Sequence, residues 1–361
     1  MNAGNQPVVA IDATLFRSKR GGDSTYWEGL IQAFSQIPSE WQFLLLTNRL
    51  KEKNVPKLPE NFIWIDLPMR NSRWLSMVTM PLIARKHRAN VFHTQYNLSP
   101  FAKNGIATIH DVSFFIGPEW FSHKDRMFLQ RFIHGSAKRA KKVITVSETS
   151  KNDILRFIKI PEEKIHVTYL APREIFVPQS EEIINKVCEK YNITRPYIFT
   201  LGSRWARKNL EFAVEVFKEL KKESLKLVIA GDTNWQEISL DENIVIPGYV
   251  SDEDLPALYS GASLLVFTSR YEGFGLPVVE SFACGTPVVC SSGGALKEVA
   301  GEAGFVKEGF DKKEWAQCIT ELLSDSSMLS VMRSNGLKRA KEFSWRKTAQ
   351  LTLDVYKDVL R

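Results

Sequence analysis

Two glutamates, Glu272 and Glu280, flank a glycine-containing apolar run in SRYEGFGLPVVESFACGTPVV, residues 269–289. A carboxylate accepts hydrogen bonds from paired hydroxyls, as the acidic residue of dinucleotide folds does with ribose. Between the glutamates, Gly273 and Gly275 let a ligand approach the backbone of Phe274, Gly275 and Leu276, and Pro277 suits the first position of a helix. A helix start offers unpaired N–H groups and partial positive charge, both suited to phosphate. The pattern predicts a two-turn helix over Pro277–Cys284 stopped by Gly285, with Glu272 in the loop at its mouth and Glu280 in its first turn. The helix dipole alone favours an acid in a first turn, which accounts for Glu280 well and for Glu272 poorly. Two carboxylates beside a phosphate-seeking helix end point to a ligand with both phosphate and hydroxyl groups. A nucleotide sugar has both.

A second cluster lies upstream. In LGSRWARKNLEFA, residues 201–213, Arg204, Arg207 and Lys208 occupy the loop between a strand and a helix. Such cations can clamp a diphosphate leaving group and replace a metal in neutralising its developing charge; isolated, they would only be solvated. His110, in TIHDVSF, follows another strand, where a single histidine is usually structural. The six histidines show no i, i+4 zinc pairing. The run DED at 252–254 has the D-x-D form associated with metal-bound nucleotide sugars, but Ser251 followed by Asp254 reads as a capping-box-like helix start.

Elements that position these residues follow from an alternation of short apolar runs with amphipathic stretches, the pattern of parallel sheets covered by helices. In the first half it predicts strands over Val8–Asp12, Gln42–Thr47, Phe62–Leu67, Val91–Thr94, Ile106–His110, Val143–Val146 and His166–Leu170. Trp27, Leu30, Ile31 and Phe34 recur on one helix face, with Ser24 or Thr25 available as cap. The second half restarts at Tyr197–Gly202 and continues through Lys226–Gly231, Ile244–Val250, Ser263–Ser269 and Pro287–Ser291. YLAPREIFVPQS, with Pro172 and Pro178, reads as the connection, and Trp345, Ala349, Leu353 and Tyr356 mark one face of a closing helix. The domains expected are therefore 1–172 and 173–344, with helix 345–361 packing back on the first.

The chain of 361 residues is long enough for two domains, and its 44% hydrophobic and 25% charged residues are those of a globular protein. Its start lacks the pattern of a signal peptide, and no apolar run is long enough to cross a bilayer, so a cytoplasmic protein is expected. Cys188, Cys284, Cys290 and Cys318 form no C-x-x-C pair and read as buried hydrophobes. Residues 1–173 hold 25 Lys and Arg against 14 Asp and Glu, while the remainder holds 23 against 27. A basic first half suits nucleic acid, an acidic membrane surface or a phosphorylated substrate, or is simply a solvated basic surface. Nucleic acid is disfavoured by the lack of an aromatic-basic RNA-binding motif or zinc finger. The runs ARKHR at 84–88 and KRAKK at 138–142 end expected helices, where cations complement the dipole. RWLSMVTMPLIARKHR could lie on a membrane surface, but core packing is the preferred reading for Trp74, Met77 and Met80.

GSRWARKN, GYVSDEDLPALYSGASLLVFTSRYEGFGLPVVESFACGTPVV and TIHDVSF together resemble the family 4 glycosyltransferases, over nearly the whole second half and in patches through the first. The resemblance implies an α/β GT-B architecture, two Rossmann-like domains facing each other across a cleft, the first binding acceptor and the second a nucleotide sugar. It implies that Arg207 and Lys208 contact the donor diphosphate, Glu272 the donor-sugar hydroxyls and Glu280 the ribose. The backbone of Phe274, Gly275 and Leu276 would lie on the sugar and phosphates, and Gly248, Tyr249 and Val250 would border the nucleobase. Ser203 stands in the donor-binding segment where many members have Arg. Gly21 and Gly22 resemble the glycine loop that closes on the phosphates, although GGDSTY stands where many members have GGIGRY, and His110 resembles the histidine beside the reacting sugar.

The expected activity is retaining transfer of a hexose such as mannose to a saccharide or lipid-linked acceptor in polysaccharide or glycolipid synthesis. No metal or other cofactor is expected. Anionic membrane contact through the basic half would place the enzyme at the inner face of the membrane. The alternatives are a sugar-nucleotide epimerase on the same fold and a non-catalytic nucleotide-sugar-binding protein.

Overall fold

The computed structural model describes residues 6–18, 21–48, 50, 55–69, 71–202, 205–231 and 242–361. The chain divides into two units, one formed by residues up to Leu170 together with Ser344–Arg361, the other by Ala171–Phe343. Among the described residues no helix is long and apolar enough to cross a membrane.

The first unit is built on seven parallel strands: β1 Val8–Asp12, β2 Gln42–Thr47, β3 Phe62–Asp66, β4 Val91–Gln95, β5 Gly105–Thr108, β6 Lys142–Thr145 and β7 Ile165–Val167. Their order is β3-β2-β1-β4-β5-β6-β7. Strands covered on both faces read as continuous apolar runs, and β1 is buried along all of its length. The winding reverses between β1 and β4, which opens a crevice beyond their C-terminal ends. β5 ends at Thr108, so His110 stands in the loop after the strand rather than at its end.

The helix Gly21–Gln36 buries Tyr26, Trp27, Leu30, Ile31 and Phe34. It begins ahead of the expected caps. Ser24 is internal, its Oγ accepting from the Ser18 amide at 3.1 Å and donating to Glu28 at 2.5 Å. The helix Trp345–Leu360 packs on Gly21–Gln36, with Ala349, Leu353 and Tyr356 buried. Gly29 makes this approach possible: a Cβ there would stand 2.2 Å from Trp345 Cε2. Tyr356 Oη lies 2.7 Å from His93 Nδ1, and His93 Nε2 lies 2.7 Å from Thr108 Oγ1. Burial, with a smaller contribution from His110, pushes the His93 imidazole down to about 3, so it is neutral.

The basic ends Arg85–Lys86 and Lys138–Arg139 lie in last helical turns. Core packing holds for Met80, which is buried, but Trp74 is 58% exposed. A surface segment turns only one side to the core, and here Leu75 and Met80 occupy that side.

The second unit has six parallel strands: β8 Tyr197–Leu201, β9 Lys226–Ala230, β10 Ile244–Gly248, β11 Leu264–Phe267, β12 Val288–Ser291 and β13 Phe305–Lys307. The order is β10-β9-β8-β11-β12-β13, with its reversal between β8 and β11. The four cysteines are free and buried. Ser251 accepts from the Asp254 amide at 3.3 Å and donates to its carboxylate at 2.8 Å, just ahead of the helix Leu255–Gly261.

Candidate functional site

The loops after β8 and β11 flank the reversal point of the second sheet and are tied together. The Arg270 amide donates to Arg207 O at 2.7 Å, and Thr268 Oγ1 to Asn209 O at 2.9 Å. This brings Arg207 and Lys208, from a 3-10 turn over Ala206–Lys208, against Glu272. Lys208 Nζ lies 2.7 Å from Glu272 Oε1; Arg207 Nη1 lies 3.1 Å from Oε2 and 2.9 Å from Tyr271 O. Glu272 is 6% exposed. Burial alone would raise its pKa, but the charges of Lys208 and Arg207 outweigh burial and hold it down to about 2. Its backbone is fixed as well, since the Ala295 amide donates to Glu272 O at 2.9 Å.

Downstream the helix spans Leu276–Ala283, one residue earlier than its sequence pattern predicts. Gly275 caps it at φ 105°, a backbone conformation that L side chains rarely adopt, and a Cβ there would meet Leu296 at 2.6 Å. Phe274 turns its ring inward onto Phe343. Glu280 is not in the first turn: the helix starts at Leu276, so Glu280 falls just past it, where it is buried and faces Tyr259, whose Oη donates to its carboxylate at 3.1 Å. Burial dominates and pushes Glu280 up to about 7, against the opposing Arg173 charge and the Tyr259 hydrogen bond. Tyr259 is packed by Phe176 and Phe199, and Arg173 pairs with Asp252 at 2.6 Å. At the end of β10, Gly248 has φ 73°, Tyr249 is 80% exposed and Val250 is buried. Ser203 and Arg204 lie outside the described residues.

In the first unit, Gly21 and Gly22 are the exposed first residues of the helix Gly21–Gln36. His110 is buried between two tyrosine rings, edge-on to Tyr26 with centroids 4.9 Å apart and tilted to Tyr96 at 5.4 Å. Burial lowers its pKa, with Asp23 and Asp111 opposing, and its Nε2 has no hydrogen-bond partner among the described residues.

Residues 21–171 match the family model described as Glycosyltransferase Family 4, and residues 184–339 the one described as Glycosyl transferases group 1. The chain is 33% identical over 288 residues to O-antigen chain mannosyltransferase B of Escherichia coli, an alignment covering 76% of this chain and 75% of that protein. The chain belongs to the family 4 glycosyltransferases. Among solved structures, a sucrose-phosphate synthase from Thermosynechococcus elongatus superposes with a TM-score of 0.79 at 20% identity, covering 98% of this chain and 99% of that one. Anabaena HepE in complex with UDP-glucose gives 0.75 at 17% identity, covering 98% of this chain and 100% of that one. The fold of this glycosyltransferase is accordingly GT-B.

The glycosyltransferase gathers Arg207, Lys208 and Glu272 into one charged cluster, with the helix bearing Leu276 and Glu280 beginning four residues after Glu272. Gly21, Gly22 and His110 belong to the other unit. Sequence reasoning missed Tyr259 and Arg173 beside Glu280, and Asp23 and Tyr96 near His110, with Gln95 bonded to Asp23. Tyr259 carries no signal of its own, because a tyrosine in LPALYS reads like any core aromatic. Arg173 is a lone cation in a linker.

Proposed function

We propose that this glycosyltransferase moves mannose from a nucleoside-diphosphate mannose to a saccharide or lipid-linked acceptor in polysaccharide synthesis, with retention at the anomeric carbon. The observation that carries the donor site is the pairing of Arg207 and Lys208 with the buried Glu272 beside a helix N-terminus. Two cations and a helix dipole stabilise a departing diphosphate, and a carboxylate already ionised accepts hydrogen bonds from sugar hydroxyls. The E. coli relative's description as a mannosyltransferase supports mannose, and the UDP-glucose held by HepE supports a nucleotide-sugar donor.

Within this reading, Glu280 takes the ribose hydroxyls, the exposed Tyr249 edge takes the nucleobase, and the first unit takes the acceptor. Glu272, bound by two cations and strongly acidic, is a poor nucleophile. Retention therefore runs without a glycosyl-enzyme, the departing phosphate oxygen removing the acceptor proton on the same face. Arg207 and Lys208 take the part of a divalent metal. The basic first half suits a phosphate-bearing lipid-linked acceptor, at the cytoplasmic face of a membrane.

The test is transfer from GDP-mannose, UDP-glucose and other sugar nucleotides to a panel of saccharide acceptors, with and without excess EDTA. Acceptor-dependent transfer that survives EDTA supports the reading. Conversion of the nucleotide sugar with no acceptor present would favour an epimerase, and a strict metal requirement would return attention to the Asp252–Asp254 run.

A further inference from the structure

The reversal point of the first sheet carries polar groups that the donor site does not use. β4 ends at Gln95, and the following residue, Tyr96, takes a left-handed φ of 59°. Gln95 is 5% exposed. Its Nε2 donates to Asp23 O at 3.0 Å, which fixes the amide orientation and leaves Oε1 as a pure acceptor. That Oε1 is buried and has no hydrogen-bond partner among the described residues. Tyr96 Oη donates to Asp23 Oδ1 at 2.8 Å, holding the half-buried carboxylate near His110, whose own Nε2 is buried without a partner. Buried acceptors are rarely left unmet, because each forfeits its hydration without compensation. Here an unmet acceptor on Gln95, a carboxylate on Asp23 and an unpartnered nitrogen on His110 are linked through the Gln95–Asp23 and Tyr96–Asp23 hydrogen bonds and the Tyr96–His110 ring contact, at the edge where an open parallel sheet binds ligands.

We propose that Gln95 Oε1 and the Asp23 carboxylate form a hydroxyl-recognition subsite for a pyranose, next to His110 at the C-terminal ends of β4 and β5. Both groups accept hydrogen bonds, so the ligand must donate them, and a neutral polyhydroxyl ring does so without placing a second anion beside Asp23. The assignment rests on the sugar-transfer reading for the identity of the ring. That ring is either the donor sugar or the acceptor sugar; the chemistry recognised is the same.

The experiment titrates methyl α-mannoside and its 2-, 3-, 4- and 6-deoxy analogues against the full chain by saturation-transfer NMR. Wild type, Gln95→Leu and Asp23→Asn are compared. In wild type, removal of one particular hydroxyl is expected to weaken binding about 10-fold or more. In Gln95→Leu the parent sugar falls to that level and the same deoxygenation costs less than about 2-fold, the signature of direct coupling. Asp23→Asn, which keeps the shape, couples to a neighbouring hydroxyl. A purely structural role would weaken every analogue equally, and that result overturns the proposal. So do wild-type binding by Gln95→Leu, indifference of the wild type to every deoxygenation, and absence of sugar binding. Unchanged nucleoside-diphosphate binding and melting temperature show that the variants are folded. Repeating the comparison with deoxy donors and deoxy acceptors in the transfer assay then assigns the ring. If no sugar nucleotide supports transfer, the functional reading fails, and the titration still decides the subsite.

Discussion

Lys208 and Glu272 form a close ion pair, 2.7 Å from Nζ to Oε1, with both side chains at least four-fifths withdrawn from solvent. The cation assigned to the donor diphosphate is therefore engaged before any donor arrives, and so is Arg207 on the other carboxylate oxygen. On the proposed reading, a diphosphate entering this site would share cations that already neutralise a carboxylate, which would couple donor binding to the charge on Glu272.

Glu272→Gln keeps the shape and removes the charge. Transfer is expected to fall by about 10²-fold or more, as for loss of a group aimed at the reacting sugar. Nucleoside-diphosphate affinity should stay the same or tighten, because both cations are released from the carboxylate. Isothermal titration with GDP and UDP beside the transfer assay reads both; weaker diphosphate binding would contradict the arrangement.

Lys208→Ala and Arg207→Ala have the opposite signature. Each is expected to weaken diphosphate binding by roughly 10- to 100-fold, the loss of one charge-assisted contact. Each also leaves Glu272 buried with one cation fewer, which should cost on the order of 3 kcal/mol of stability. Melting temperature and titration together check this pair of effects.

Glu272 and Glu280 impose opposite pH dependences. The Glu272 pKa is lowered from its ordinary 4.5 to about 2, so its stabilisation is complete above 4.5 and disappears as pH falls towards 2. The Glu280 pKa is raised from 4.5 to about 7, so between those values the folded state holds the extra proton and stability declines as pH rises. Glu272→Gln should flatten the acid limb of a melting-temperature profile, and Glu280→Gln the decline towards neutrality.

If Glu280 takes the ribose as proposed, the contact is strongest with the carboxylate ionised, so nucleoside-diphosphate affinity should increase as pH rises through about 7. Glu280→Gln, or a dideoxynucleoside diphosphate, should abolish that dependence. An unchanged slope in either case argues that Glu280 does not meet the ribose.

Gly29→Ala places a methyl group inside the Trp345 ring position. The helix Trp345–Leu360 must then shift, at an expected cost of about 1–3 kcal/mol. Tyr356→Phe leaves His93 Nδ1 buried without its partner, for a similar penalty. Chemical denaturation of the two variants measures both.

Strand positions were legible because parallel strands covered on both sides are apolar throughout, as in VVAID and QFLLLT. Phe305–Lys307 was not, since three residues carry no periodicity and Phe305 is 42% exposed. EGFGLP marked the charged loop and the glycine turn, but no residue type signals that Arg207 and Lys208 reach back to Glu272 across more than sixty positions. Glu280 lies one residue deeper in its helix than the sequence pattern places it, just past the first turn, because Pro277 fits the second helical position as well as the first. Gln95 was invisible: its significance lies in one unsatisfied oxygen, which depends on where the Asp23 carbonyl falls.

The contribution of the last helix to the first unit sets an order of events during synthesis. Phe34, Trp41 and His93 leave the ribosome more than two hundred residues before Tyr356, the ring that covers them. The contiguous second unit, Ala171–Phe343, can close its own core first. A chain truncated after Phe343 and released would therefore carry one finished unit and one still open, its aromatic surface available to chaperones.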